Sequence, residues 1–166
     1  IATVYHMDKP VIAAVNGAAS GLGCDLAFAC DFVMGGSSAS FSMAYLKRGL
    51  IPDGGGLYFL PRRVGIARAK ELIFSARTVE SDEALEIGLA DRIIDDGRLV
   101  MDAVAWAQSL CSGPASAIAL SKSIINRSVD LSLETVFALG SEAQSICYAS
   151  DEHHDAVAAF LDKSGR

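Results

Sequence analysis

The sequence predicts a layered α/β protein that gives way to an all-helical region near residue 98. Three observations carry that expectation. Val11-Ile12-Ala13-Ala14-Val15 is an unbroken apolar run bounded by Pro10 and Asn16-Gly17, the pattern of a strand covered on both faces. It leads through a glycine-rich loop and a helical segment into a second apolar strand, Phe32-Val33-Met34. Beyond residue 98 no strand pattern returns. The organisation expected is a mixed α/β part over residues 1–97 and a helical part over residues 98–166.

The first strand is followed by Gly17-Ala18-Ala19-Ser20-Gly21-Leu22-Gly23, in which only Leu22 is large. Cys24 to Cys30 then reads as helix, and Asp31 ends it before the second strand. The loop lacks the third glycine of a dinucleotide fingerprint, no Gly-Lys-Ser/Thr follows, and Ser20 does not sit in G-x-S-x-G. What remains is a helix start with unpaired N–H groups and little side-chain cover. Such a place favours an anion, or an oxygen that becomes anionic during reaction. A tight loop that serves packing alone fits the same residues.

Gly35 to Ser38 reads as a turn, and Ala39 to Met43 as a short strand. Gly49-Leu50-Ile51-Pro52-Asp53-Gly54-Gly55-Gly56 comes next. Pro52 pushes Ile51 towards extended geometry, so a strand is expected to end there. Three glycines without Cβ atoms let a ligand or a neighbouring backbone approach Asp53. The residues leave two readings of Asp53, a reactive carboxylate or the cap of the next helix. Leu57 to Leu60 reads as a helical turn closed by Pro61. Gly65 to Ser75 places Ile66, Ala69, Leu72 and Ile73 on one helical face. Ser81 is expected to cap a helix that Gly88 ends, before a strand over Leu89 to Ile94 and a turn at Asp95-Asp96-Gly97. Leu99–Cys111, Ala115–Arg127, Leu133–Tyr148 and Asp151–Asp162 read as helices.

Composition narrows the function. A chain of 166 residues suits one domain with a core of its own, and a net charge of −6 argues against nucleic acid as the main partner. Ala103 to Ser121 carries no charge, but Gln108, Ser109, Ser112, Gly113 and Pro114 break it into two soluble helices rather than a membrane span. The start shows no signal-peptide pattern, and its Ile1 points to a fragment or a processed product. Cys24, Cys30, Cys111 and Cys147 form no C-x-x-C pair, so they read as small buried hydrophobes in a reducing cytoplasm.

The chain resembles the enoyl-CoA hydratase/isomerase (crotonase) superfamily from about Lys9 to Lys163. The resemblance rests on Lys9-Pro-Val-Ile-Ala-Ala-Val-Asn-Gly, Gly-Leu-Gly-Cys-Asp-Leu-Ala, Cys30-Asp31, Phe41-Ser42-Met43, Gly49 to Gly56, Leu60-Pro61-Arg62 with Val64-Gly65, and Ile87-Gly88-Leu89-Ala90. It implies a spiral of ββα units, present here in part, and a helical C-terminal region used in trimerisation. It also implies acyl-CoA thioester substrates and an oxyanion hole of two backbone N–H groups that holds a thioester enolate. Family members carry a long segment before the position of Lys9 that holds the other N–H, so one half of the hole is expected here.

By the same resemblance, Leu22 supplies an oxyanion N–H where many members have glycine. Asp25 stands where hydratases carry one catalytic glutamate, and Tyr45 where they carry the second. Asp53 stands where isomerase branches carry an acid/base carboxylate. Gly-Leu-Ile-Pro-Asp-x-Gly-Gly, with aromatic residues after it, is most similar to epoxyphenylacetyl-CoA isomerases, then to Δ3,Δ2-enoyl-CoA isomerases. Leu50, Ile51 and Tyr58 would be the apolar surroundings of Asp53 if they line a pocket. Gly17, Gly21, Tyr45, Phe160 and Lys163 are the implied substrate contacts, with Lys163 equally readable as a solvated terminal charge. His6, His153 and His154 match nothing catalytic and are expected in solvent. The resemblance implies isomerisation by proton shuttling, with water addition or silent CoA binding as alternatives. It implies no metal or redox cofactor, a homotrimer or dimer of trimers, and no nucleic-acid or membrane partner.

Overall fold

The computed structural model describes residues 1–164, with side chains to residue 162. Residues 1–7 and 11–109 form one compact unit; residues 8–10 and those from 110 onward form a second. The first unit is built from repeated ββα passes. A short helix α1 (Ala2–Tyr5) precedes β1 (Ile12–Val15), β2 (Ala18–Ser20) and α2 (Leu22–Phe28). The next pass is β3 (Phe32–Gly36), β4 (Ser40–Ser42), a 3₁₀ turn over Ala44–Arg48, then α3 (Gly56–Val64) and α4 (Ile66–Ser75). β5 (Thr78–Glu80), α5 (Ser81–Glu86) and β6 (Arg92–Ile94) follow, before α6 (Leu99–Leu110).

Each pass sends its first strand to one sheet and its second to another. One sheet has the order β1-β3-β6, all parallel, with Ile12 opposite Phe32 and Met34 opposite Arg92. The other has the order β2-β4-β5, with β2 and β4 parallel and β5 antiparallel to β4. This is the spiral of ββα units that the resemblance implies. Matching aspartates bind the strand entries: Asp31 accepts from the Val11 N–H and Asp91 from the Val33 N–H, each at 2.7 Å. Cys24, Phe28, Val33, Phe41, Leu60, Leu72, Val79 and Leu89 fill the core between sheets and helices. Burying a side chain of that size stabilises by roughly 1.5–3 kcal/mol, which sets the spiral's position around α2.

Several elements depart from the sequence pattern. β1 is an edge strand with Ala14 exposed, not a strand covered on both faces. The glycine loop contains β2, and β5 lies between Ser75 and Ser81, where the sequence pattern assigns no element. No strand ends at Ile51; Pro52 instead centres a three-residue turn closed by the Asp53 N–H on the Ile51 carbonyl at 2.9 Å. α3 continues through Pro61. The bond lost to the proline ring falls on the carbonyl of Leu57, an exposed residue of the first turn. Ser81 is not the cap of α5: Glu80 takes that place, and the Ser81 hydroxyl donates to the Ser37 carbonyl at 2.9 Å. Ile66 is exposed although Ala69, Leu72 and Ile73 of its helix are buried. Of the cysteines, Cys24 is buried, Cys30 and Cys147 half-buried and Cys111 exposed.

The change in composition at residue 98 does not coincide with the change in packing. Leu99 and Ala103 of α6 pack with Met34 of β3, so most of that helix belongs to the first unit. The second unit contains α7 (Ala115–Ser128), α8 (Leu133–Tyr148) and α9 (Asp151–Ser164). Ser132 caps α8, accepting from the Thr135 N–H at 3.2 Å. Glu152 of α9 accepts the Ala115 and Ser116 N–H groups at the start of α7, at 3.0 and 3.2 Å. Neither α7 nor α8 holds a buried residue. Among the described residues, no helix is long and apolar enough to cross a membrane.

Candidate active site

α2 begins at Leu22 because Gly21, at φ 54°, turns the chain there and ties its own N–H to the Ser42 carbonyl at 2.9 Å. The next three N–H groups, of Leu22, Gly23 and Cys24, lie in the first turn, where the helix itself offers no acceptor. No side chain caps this end. Leu22 and Gly23 are exposed, whereas Cys24 is fully buried. Below them the Cys24 thiol donates to the Ala19 carbonyl at 3.0 Å. Burial pushes this thiol up to about 12, with the Asp25 charge adding to the shift, so it stays protonated and serves packing.

Asp25 follows one turn into the helix and is fully buried. Its Oδ2 accepts the Tyr45 hydroxyl at 2.6 Å, a short charge-assisted bond that joins α2 to the 3₁₀ turn. Tyr45 is half-buried, its ring in contact range of Gly21. The Asp25 Oδ1 lacks a hydrogen-bond partner among the described residues. Burial raises the Asp25 pKa, and the nearby Asp53 charge adds to this. The Tyr45 hydroxyl and the neighbouring Gly56 and Gly54 amides oppose the shift; these amides lie close without aligning on Oδ1. Tyr45 is likewise pushed up, by burial first and then by Asp25.

The glycines after Asp53 are spacers for this carboxylate. A Cβ on Gly54 would come within 2.5 Å of both Asp25 Oδ2 and Leu22 Cδ1. A Cβ on Gly56 would collide with Asp25 Oδ1 and come within 3.0 Å of Pro52 Cβ. The N-cap of α3 is Gly55 at φ 107°, with no side-chain hydrogen bond, so Asp53 is not the helix cap. Asp53 points into solvent together with Leu50 and Ile51. The apolar surroundings expected around Asp53 are therefore missing on the Leu50 and Ile51 side. Tyr58, one turn on, packs instead in an aromatic group with Tyr5 and Phe59, and its hydroxyl lies 3.3 Å from that of Tyr5.

The structure thus brings together Gly21, Leu22, Asp25, Tyr45 and the loop of Asp53. Gly17 stands apart at the entry of β2, where its carbonyl accepts the Ser40 N–H at 3.2 Å. Phe160 belongs to the second unit and is 70% exposed; the Lys163 side chain lies outside the described residues. His6, His153 and His154 were expected in solvent; His6 and His154 are exposed, whereas His153 is half-buried, edge-on to Tyr148. Among the described residues no cluster of His, Cys, Asp and Glu is placed to hold a metal ion. Sequence reasoning missed the contacts of Gly54 and Gly56 with Asp25; the triple glycine was their only local signal.

A family model for enoyl-CoA hydratase/isomerase matches residues 1–165. A short-chain-enoyl-CoA hydratase of Clostridium acetobutylicum is 40% identical over 157 residues, covering 95% of this chain and 60% of that protein. A 1,2-epoxyphenylacetyl-CoA isomerase of Escherichia coli is 38% identical over the same share of each. The crystal structure of an enoyl-CoA hydratase/isomerase from Cupriavidus metallidurans superposes with a TM-score of 0.92 at 41% identity, over 96% of this chain and 60% of that one. The enoyl-CoA hydratase of Bacillus anthracis gives 0.93 at 33%, over 98% and 63%. The chain therefore spans about three-fifths of the length of these four relatives.

Proposed function

The chain belongs to the enoyl-CoA hydratase/isomerase family, and from that premise we propose that its full-length protein isomerises an acyl-CoA thioester by moving a proton. One observation carries this reading. The two positions at which water-adding relatives are expected to hold a pair of carboxylates are here Asp25 and Tyr45, and those two bond each other at 2.6 Å. Asp25 is sealed under the Gly54–Gly56 backbone, and a tyrosine is a poor base near neutral pH. The carboxylate left open is Asp53.

The thioester oxygen lies against the Leu22 N–H at the positive end of α2, with a second backbone donor completing the hole. Asp53 takes a proton from the carbon skeleton, and the electron pair moves onto the thioester oxygen as an enolate. The same carboxyl returns the proton at another carbon, the double bond shifts, and nothing is added or lost. No metal or redox group is needed for that transfer. Gly17, Gly21 and Tyr45 are assigned to the acyl thioester, and Phe160 and Lys163 to the nucleotide end of CoA. A cytoplasmic homotrimer, or a dimer of such trimers, is the assembly this reading assigns.

The test is Asp53→Asn in the full-length protein, offered 2-enoyl-CoA and 3-enoyl-CoA. Loss of a general acid–base group typically costs about 10²–10⁴-fold, so kcat falls by that order while ester binding holds. Full turnover in the variant would remove Asp53 from the chemistry. A second reading, water addition, is favoured by the 40% identity to a named hydratase; a 3-hydroxyacyl product from 2-enoyl-CoA would establish it. A silent binder would turn over neither ester yet melt higher with either one.

A further inference from the structure

Two side chains of α2, Leu22 and Asp25, close on Gly54 and Gly56 after Asp53, and Tyr45 of the 3₁₀ turn holds Asp25. Asp25 Oδ2 and Leu22 Cδ1 both close on Gly54, and Asp25 Oδ1 faces Gly56. The Tyr45 hydroxyl donates to Oδ2 of that carboxylate at 2.6 Å. The loop's N–H bonds, Gly49 to Leu46, Leu50 to Tyr45 and Asp53 to Ile51, lie at or before Asp53. Beyond it the Gly55 carbonyl accepts the Tyr58 and Phe59 N–H groups at 2.8 and 2.9 Å, and Pro52 is buried. Gly49 and Gly55, at φ 68° and 107°, turn the chain at its two ends. Asp25, with no exposed surface, cannot touch a substrate unless the loop lifts.

We propose that Leu22, Asp25 and Tyr45 form a clamp that seats the Asp53 loop on the first turn of α2, with Asp25 and Tyr45 as positioning residues rather than proton carriers. The proposal rests on the reading of Asp53 as the proton-moving group. The clamp fixes the distance between that carboxylate and the helix-start donors, the two parts that must act on one substrate. A displacement of about 1 Å is worth as much as 10²-fold in rate, so a small loosening is kinetically visible.

Two conservative variants of the full-length protein separate the roles. Asp25→Asn keeps the size of the side chain and still accepts the Tyr45 hydroxyl. Asp25→Glu keeps the carboxylate but adds a methylene for which Gly54 and Gly56 leave no room. The clamp requires Asp25→Asn to outperform Asp25→Glu, with kcat of the Asn variant reduced roughly tenfold at most and its pH profile unchanged in form. Tyr45→Phe alone loses roughly three- to thirtyfold, and adding it to Asp25→Asn costs no more than the worse single change. A proton carrier gives the reverse order: Glu active, Asn dead, and the acid limb of the profile gone. That result overturns the proposal. Retained turnover in Asp53→Asn would instead defeat the isomerase reading alone. Hydrogen exchange at the Gly54 to Leu57 amides then decides the clamp without any turnover. Faster exchange in Tyr45→Phe and Asp25→Glu supports it, and exchange unchanged from the parent refutes it.

Discussion

Gly56→Ala should destabilise the protein although helix propensity says the opposite. At the first residue of α3, alanine in place of glycine gains up to about 1 kcal/mol from the unfolded chain's lost freedom. The structure sets a larger cost against this. The new methyl would collide with Asp25 Oδ1, meet Met43 Cε at 2.5 Å and Pro52 Cβ at 3.0 Å. Met43 is a flexible end and gives way. Asp25 is buried and held by Tyr45, and Pro52 is a buried ring, so neither does. Overpacking of this kind typically costs about 1–3 kcal/mol, leaving a net loss of up to about 2 kcal/mol once the full gain is set against it. Gly23→Ala is the matched control: second residue of α2, with nothing within 4 Å of where its methyl would stand. It should be neutral or slightly stabilising. Equilibrium urea unfolding of both variants in the full-length protein measures the difference from the midpoint at constant slope. If Gly56→Ala matches Gly23→Ala, the Asp25 seat is not rigid and the packing argument fails.

Further outcomes can be checked alongside. Burial raises the folded pKa of Asp25 above its ordinary 3.8, so its contribution is fully present below that value and is lost as pH rises through the folded pKa. Asp25→Asn, neutral throughout, should gain on the parent in denaturant unfolding as pH rises across that window; a parent that gains on the variant would mean burial is not the ruling effect. The Cys24 thiol, pushed up to about 12 and buried, should resist a thiol-alkylating reagent in the native protein, whereas exposed Cys111 reacts. Labelling of Cys24 ahead of Cys111, read by peptide mass, would contradict the burial. The second unit leaves Leu133, Phe137 and Phe160 exposed by 63, 65 and 70%. Association through these helices is expected, and a monomer in light scattering of the full-length protein at micromolar concentration would count against it.

Elements that a local pattern can encode were legible before any packing was known. The apolar run at Val11 marks β1, and α8 spans the residues its periodicity picks out, Leu133 to Tyr148. The glycine and acid spacing, carried by a resemblance over most of the chain, pointed to the family and to Leu22, Asp25, Tyr45 and Asp53. Strands of three residues were beyond such reading: β2 and β5 show no alternation long enough to detect, and exist because β4 pairs with both. The short helix α1 was missed for the same want of length. What the acidic residues do was fixed by packing alone. Asp25 and Asp53 are both aspartates beside glycines in the sequence, yet one is sealed and the other open. The difference comes from Tyr45, twenty residues beyond Asp25, whose hydroxyl can reach that carboxylate only once α2 and the 3₁₀ turn are packed together. A carboxylate's chemistry depends on its desolvation and partners, and those are set by contacts between segments that no local stretch of sequence contains.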